Sequence, residues 1–515
     1  MTAPLRVSTR RPRPANRKLA TLKVLLWLGT VAPLFAALGA ESEVPGTTRL
    51  LGALLWLLCL LPANLYLRAN PGRRRPLPFI QAISLIYGLY YAFPVALGEA
   101  NRAWRITVDP RDAYDAPIQL ALLGWFAMMA MYMIISQLLR RRRPPREIPW
   151  KPALMTKWGI AFLLSGVTVN ALGAFVGGIP AIGGFLQLFV SLQWLGLGLL
   201  TVLARRNELT STGRTILIGG FVAAVGVALA QGNISPVVLL CVVVAFSLWA
   251  GRPQIEARWI VAGAMALLVA ISLRGVIRDF RMTAWYGAVQ FSQTEKARLM
   301  IRLLSNRIAT EGLSSAIGGG VAQTAQRSAN MDVFADVVRR TPSEVPYWNG
   351  QTYLSLVGAA VPRFLWPDKP TKELGQAFGH RYRYLDPSNT STAINLPITV
   401  EFYANFGSAA VFFGMLIVGA IYGALDSFVN KPGQSLLVSM IGLTLLLPLL
   451  IIESDFSLVF GGLPLSGLAL WGIWVMIKRS ALGKQRHGRA SARVTRVAPG
   501  GQLHTGPDRP ALPTG

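Results

Sequence analysis

Between Val361 and Pro370 the chain reads Val-Pro-Arg-Phe-Leu-Trp-Pro-Asp-Lys-Pro, which joins fixed charge to a stiff backbone. Pro362, Pro367 and Pro370 each fix φ and push the preceding residue toward extended geometry, so no helix continues through the segment. Arg363 and Lys369 are therefore held cations, with Asp368 beside them and Phe364 and Trp366 of the kind that settles at a membrane–water boundary. Cations fixed in advance can neutralise the charge on a departing diphosphate, while a neighbouring carboxylate orients one of them or takes a proton. The competing reading is a rigid structural corner with an internal ion pair.

Three further groups have the right chemistry. Arg274, Arg278 and Arg281 stand at the end of an apolar run, the first two on one helical face, and arginine's planar fork of donors suits a diphosphate. A snorkelling helix end paired with Asp279 explains them equally well. Glu401, in Leu396-Pro-Ile-Thr-Val-Glu-Phe-Tyr-Ala-Asn-Phe-Gly407, opens the next apolar run. A carboxylate there is either a functional group needing a partner or a helix N-terminal acid that satisfies the dipole. His380 has the titration range of a general base, although a lone loop histidine is more often a surface residue. No glycine-rich nucleotide loop, zinc-ligand spacing or nucleophile elbow occurs.

These residues must be positioned by something largely apolar. The 515 residues are 52% hydrophobic and 14% charged, with a mean hydropathy of +0.44, the composition of an all-α polytopic integral membrane protein. Crossing the hydrocarbon takes roughly 20 apolar residues, and about twelve runs qualify: 22–40, 50–67, 77–97, 117–139, 153–175, 181–203, 215–232, 234–250, 258–273, 398–425, 435–452 and 459–477. Gln231-Gly-Asn-Ile-Ser-Pro236 separates the seventh from the eighth as a tight turn or a helix break. Cys59 and Cys241 lie in apolar runs and imply no disulfide or metal framework.

The net charge of +28 would suit a nucleic-acid binder, but the arginines concentrate in alternate loops and in both termini. That is the positive-inside pattern, with both termini cytoplasmic, and it points away from nucleic acid. The chain divides into a basic N-terminus (1–21), nine spans (22–273), a large periplasmic loop (274–397), three spans (398–477) and a basic tail (478–515) predicted to be disordered. Within the loop two amphipathic helices are expected. Glu295 to Ile308 sets Leu299, Met300, Leu303, Leu304 and Ile308 on one side and Arg298 and Arg302 on another. Ala329 to Arg340 sets Val333, Phe334, Val337 and Val338 inward, with Asp332, Asp336 and Arg340 at four-residue spacing. Tyr353 to Val361 is apolar but too short to span, and so re-entrant or interfacial.

The Val361–Pro370 segment, followed by Thr399-Val-Glu-Phe-Tyr-Ala-Asn-Phe-Gly407 opening a glycine-rich span, resembles the Wzy-type O-antigen or oligosaccharide repeat unit polymerases. That resemblance implies a GT-C-like glycosyltransferase of the bacterial inner membrane. It would move a growing glycan from undecaprenyl pyrophosphate to a new lipid-linked repeat unit, without nucleotide sugar, cofactor or metal. Arg363, Lys369, Arg274, Arg278 and Arg281 would bind the pyrophosphate, and Asp368 or Glu401 would be the base. Partners would be the lipid-linked oligosaccharide, membrane lipid, a chain-length regulator and a flippase. A ligase with a different acceptor, kept open by His380, and a flippase of lipid-linked sugars are the alternatives.

Overall fold

The computed structural model describes residues 42–69, 74–98, 113–139, 150–176, 180–252, 276–284, 291–309, 330–360 and 374–494, a few positions within these ranges aside, together with Trp366 and scattered positions between 24 and 31. No strand occurs among them. Before the large loop come α1 (Gly46–Arg68), α2 (Phe79–Leu97), α3 (Asp115–Leu138), α4 (Pro152–Val176), α5 (Pro180–Arg206), α6 (Ser211–Ala230) and α7 (Ser235–Gly251). The loop contributes α8 (Asn330–Arg340), α9 (Leu354–Ala360) and α10 (Leu374–Arg381). After it come α11 (Ile398–Phe406), α12 (Ser408–Val429), α13 (Leu436–Leu446), α14 (Phe456–Phe460) and α15 (Leu463–Val494).

Seven of the described helical stretches are long and apolar enough to cross a membrane: α1, α2, α3, α4 as far as Gly173, α6, α12 and Phe456–Ala481. Two shorter apolar helices, α7 and Leu436–Leu450, accompany them. Their free faces are as apolar as their packed ones. Leu50, Leu54, Leu61 and Leu65 form an exposed stripe on α1, and Phe413 and Ile417 stand exposed on α12 while Val411, Met415 and Val418 are buried. Such faces are stable only against an apolar solvent, and helices satisfy their own backbone polar groups there.

The structure departs from the sequence expectations in three places. The run 398–425 is broken at Gly407 into α11 and α12. The basic tail is helical as far as Val494, because α15 continues past Lys478. On α8 both faces are covered: Asp332 and Asp336 are 4% and 3% exposed, beside a fully buried Phe334. The expected spans 22–40 and 258–273 fall largely or wholly outside the described residues. Gln231 and Gly232 turn tightly after α6, with Gly232 at φ 64° and α7 beginning at Ser235.

Glycine sets the close crossing of α3 and α12. A Cβ on Gly419 of α12 would stand 2.2 Å from the Met128 carbonyl oxygen of α3, and one on Gly423, a turn later, 2.9 Å from that of Tyr132. This is the small-residue spacing that lets two apolar helices approach to backbone contact.

At the end of α12 away from the loop, Asp426 is fully buried and engaged on both oxygens. It pairs with Arg75 at 2.9 Å. It also accepts hydrogen bonds from the Tyr132 hydroxyl at 2.5 Å and the Asn430 amide at 2.7 Å. Asn430 in turn pairs with the Leu77 backbone at 2.8 and 2.7 Å. The network ties the α1–α2 connection to α3 and α12.

Candidate active site

The loop folds into a cap by burying charge in pairs. Asp336 of α8 accepts from Arg339 at 2.9 Å, Arg340 at 3.3 Å and the Tyr384 hydroxyl at 2.7 Å. Arg340 also donates to the Tyr382 carbonyl at 2.7 Å, so α8 and the chain after α10 form one unit. Phe334 makes edge contacts with Tyr91 of α2 and Tyr403 of α11, each at 6.2 Å, which docks the cap on the long helices. Asp332 accepts from the Tyr114 hydroxyl just before α3, while its other oxygen, also buried, makes no hydrogen bond.

The site motif forms the floor of this cap. Helix α11 starts after Pro397, which has no N–H to leave unpaired. Asn405 stands one turn after Glu401 and is fully buried. Its amide donates to the Thr352 hydroxyl at 2.9 Å and to the Glu401 carbonyl at 2.8 Å, and its oxygen accepts from the Gly350 N–H at 2.8 Å. The Trp348 N–H donates to the Ala404 carbonyl at 3.0 Å. The chain leaves α11 through Gly407 at φ 77°, where a Cβ would stand 2.9 Å from the Tyr347 hydroxyl, so only glycine fits. Asn405 and Gly407 thus clasp residues 347–353, and these lead directly into α9 and the proline-rich segment.

Glu401 is the carboxylate of the clasp. It is 0% exposed, and its Oε2 accepts from the Phe456 N–H at the start of α14 at 2.6 Å. Its Oε1 makes no hydrogen bond, with the Thr352 hydroxyl as its polar neighbour. Glu401 lies before the span that begins at Ser408. Burial pushes its carboxyl up to about 7, opposed by the Phe456 N–H and Thr352 and aided by the charge of Asp455. Tyr353 seals the space beside it, its ring 6.4, 6.5 and 6.1 Å from Phe402, Phe406 and Phe456. The Tyr353 hydroxyl is buried without a hydrogen bond, and burial together with the Glu401 charge pushes it up.

The weakened acidity of Glu401 has a measurable sign. Below about pH 4.5 it is protonated folded or unfolded, and between there and about pH 7 only the folded state keeps the proton. Stability therefore falls as pH rises through that window, by about 3 kcal/mol for this group, and stays level above it. Asp332, pushed up to about 7 by burial against the help of Tyr114, titrates in the same window. Glu401→Gln should remove its own share: between pH 5 and pH 8 the midpoint of thermal unfolding should drop less in the variant than in the parent. Equal drops would show that the carboxyl is not held neutral.

Of the residues singled out from sequence, the structure brings Glu401 into the clasp. The imidazole of His380, on α10, makes no hydrogen bond to the described residues of the clasp. Arg281 donates through Nε to the Gly232 carbonyl at 2.9 Å, in the turn between α6 and α7, while Asp279 pairs with Arg307 at 3.3 Å. Around that turn Val276, Ile277, Phe280 and Met300 form a separate apolar cluster, with Leu299, Leu303 and Leu304 packed on it. This is the expected face of the amphipathic helix, which begins in a reciprocal Ser292–Glu295 capping box, and Arg298 and Arg302 are exposed on it as expected. Arg274, Arg278, Arg363, Asp368 and Lys369 lie outside the described residues. Asn405, Thr352, Tyr353 and Asp332 were not among the site candidates read from the sequence. Among the described residues no group of three His, Cys, Asp or Glu side chains is placed to hold a metal.

Residues 151–436, more than half of the chain, match the family described as Domain of unknown function (DUF8712). The chain belongs to that family. No curated protein and no solved structure matches it. The DUF8712 region holds the cap, Glu401 and Asn405, whereas Phe456, which donates to Glu401, lies beyond it.

Proposed function

We propose that this protein polymerises lipid-linked oligosaccharide repeat units at the periplasmic face of the bacterial cytoplasmic membrane, with both termini cytoplasmic. The growing glycan would pass from undecaprenyl pyrophosphate to a hydroxyl of a newly arrived lipid-linked unit. The observation that supports this reading is the clasp. Glu401 and Asn405 tie residues 347–353 to α11 and α14, and α9 runs from there into Val361–Pro370. The clasp thus holds the start of α9 where the cap meets the long apolar helices, and the cation-bearing segment follows α9 directly in sequence.

Each group then has a chemical task. The acceptor oxygen attacks the anomeric carbon, the bond from that carbon to the diphosphate oxygen breaks, and the leaving group takes the electron pair. Arg363 and Lys369 neutralise that charge, with the cations at 274, 278 and 281 as further phosphate ligands. The acceptor proton goes to a carboxylate. The complete burial of Glu401, and its bond to a helix N-terminus, make Asp368 the better base and Glu401 a positioning residue. This set of residues requires no nucleotide sugar.

The test is reconstitution of the purified protein in liposomes with one lipid-linked repeat unit. A ladder of longer lipid-linked products is expected. Movement of the unit across the bilayer without elongation would make the protein a flippase. Transfer to a different acceptor would make it a ligase.

A further inference from the structure

A second polar feature lies at the end of the helix bundle away from the cap. There α5 closes in a left-handed turn at Asn207, φ 62°, with the Glu208 N–H on the Leu203 carbonyl at 2.9 Å and the Asn207 N–H on that of Ala204 at 3.1 Å. Arg205 and Arg206 fall in the last turn. Gly251, the last residue of α7, has no Cβ, and one placed there would stand 3.0 Å from Arg205 Cγ, so the arginine stem lies along α7. Arg252 follows, donating to the Arg206 carbonyl at 3.4 Å.

Between α5, α6 and α7 these residues border a pocket of about 430 Å³. Its walls are apolar, including Leu217, Phe221, Val244 and Leu248, and Arg205 and Arg252 also line it. Asn207 adds a polar side chain to the lining, and one buried polar group stands without a partner. Thr201 lines the pocket, is 4% exposed, and its hydroxyl makes no hydrogen bond. A buried hydroxyl left without a partner loses free energy that a ligand acceptor would restore. Thr201 is one helical turn, about 6 Å, further in than Arg205. That step matches the spacing from the phosphate to the acyl ester of a glycerophospholipid. The α6 wall opens toward the surrounding solvent of the bundle through Ile218 and Val222, 64% and 62% exposed. Arg206 and Arg214 add positive charge nearby, while Glu208 is engaged by the Trp150 indole N–H at 2.8 Å.

We propose that this groove binds an anionic two-chain phospholipid of the bilayer: its phosphate between Arg205 and Arg252, an ester oxygen on Thr201, and an acyl chain along the apolar walls. The site is separate from the clasp, since the other end of the same α6–α7 pair is the turn held by Arg281. An apolar trough with cations at its mouth fits a lipid better than a soluble phosphate, because the walls would gain nothing from the latter.

Native mass spectrometry of the full chain in detergent tests this, with phosphatidylglycerol and phosphatidylcholine of identical acyl chains as probes. Phosphatidylglycerol should bind about thirtyfold more tightly, because two arginines face a net anionic headgroup there, whereas the choline cation of phosphatidylcholine offsets the same phosphate and is repelled by them. Arg205→Gln with Arg252→Gln should abolish that preference, and Thr201→Val should weaken binding of both lipids. Leu217→Trp, which fills the trough and leaves the arginines, should reduce binding of both and controls for misfolding in the double variant. Equal binding of the two lipids would overturn the proposal, as would a preference that survives the double variant. So would full competition by glycerol phosphate alone, which would reveal a soluble-anion site, or no binding of either lipid.

Discussion

Arg363→Ala is expected to yield a protein that inserts and purifies like the parent yet elongates lipid-linked glycan at least about 100-fold more slowly. Removing one donor aimed at developing charge costs about 10²–10³ in rate in a low-dielectric site. The loss should appear in turnover more than in substrate affinity, because the charge on the leaving diphosphate is largest in the transition state. Arg363→Lys should recover part of the rate, keeping the charge but losing the planar fork. Ladder formation against time on a gel is the readout. Parental kinetics in Arg363→Ala would remove that residue from the site and leave the segment as a structural corner.

The largest stability effect is expected at the other end of the bundle. Arg75→Ala leaves the buried Asp426 carboxylate without its counter-charge, although Tyr132 and Asn430 still donate to it. Breaking one side of a buried pair typically costs about 3–5 kcal/mol, mostly the burial of the remaining charge. Arg75→Met combined with Asp426→Leu replaces the pair by apolar groups and should recover much of that loss. Unfolding midpoints of the two single variants and the double variant, measured in one detergent, give the coupling. Additive losses would show that the two side chains do not depend on each other.

The long helices were legible in the sequence because a span is a composition signal: a run of apolar residues needs little else to be recognised. The break at Gly407 was not, since α11 and α12 form one apolar run, and the Tyr347 hydroxyl that a Cβ at the left-handed Gly407 would meet comes from far off in sequence. The burial of both faces of α8 was hidden for a similar reason. Periodicity shows which face is apolar, but Tyr114 and Tyr384, which cover Asp332 and Asp336, come from other parts of the chain. Arg75 and Asp426 are 351 positions apart and read singly as an anchoring arginine and a helix-end acid. At the site, Glu401 stood out as a carboxylate beside an apolar run. Its actual partner, a backbone N–H of Phe456, has no side-chain signature. Asn405, one turn on from an acid and two before a glycine, was the readable hint that α11 closes on something.

The clasp also explains why a buried acid can be tolerated there. Glu401 is held by one strong donor and kept protonated by burial up to about pH 7, so below that pH it fixes α14 against α11 without a full buried charge. That rigidity is transmitted to residues 350–353 through Asn405, and from there to α9. A site that stabilises charge needs such support, because donors that must reorganise during reaction lose their advantage.

The most direct test of the central claim is to locate the diphosphate. A photoreactive polyprenyl diphosphate, irradiated with the reconstituted protein and mapped by peptide mass spectrometry, should label the peptide containing Arg363 and Lys369. Labelling should fall when both are replaced by alanine. Label confined to peptides from the end of the bundle that holds Arg75 and Asp426, or unchanged by the double replacement, would contradict the account.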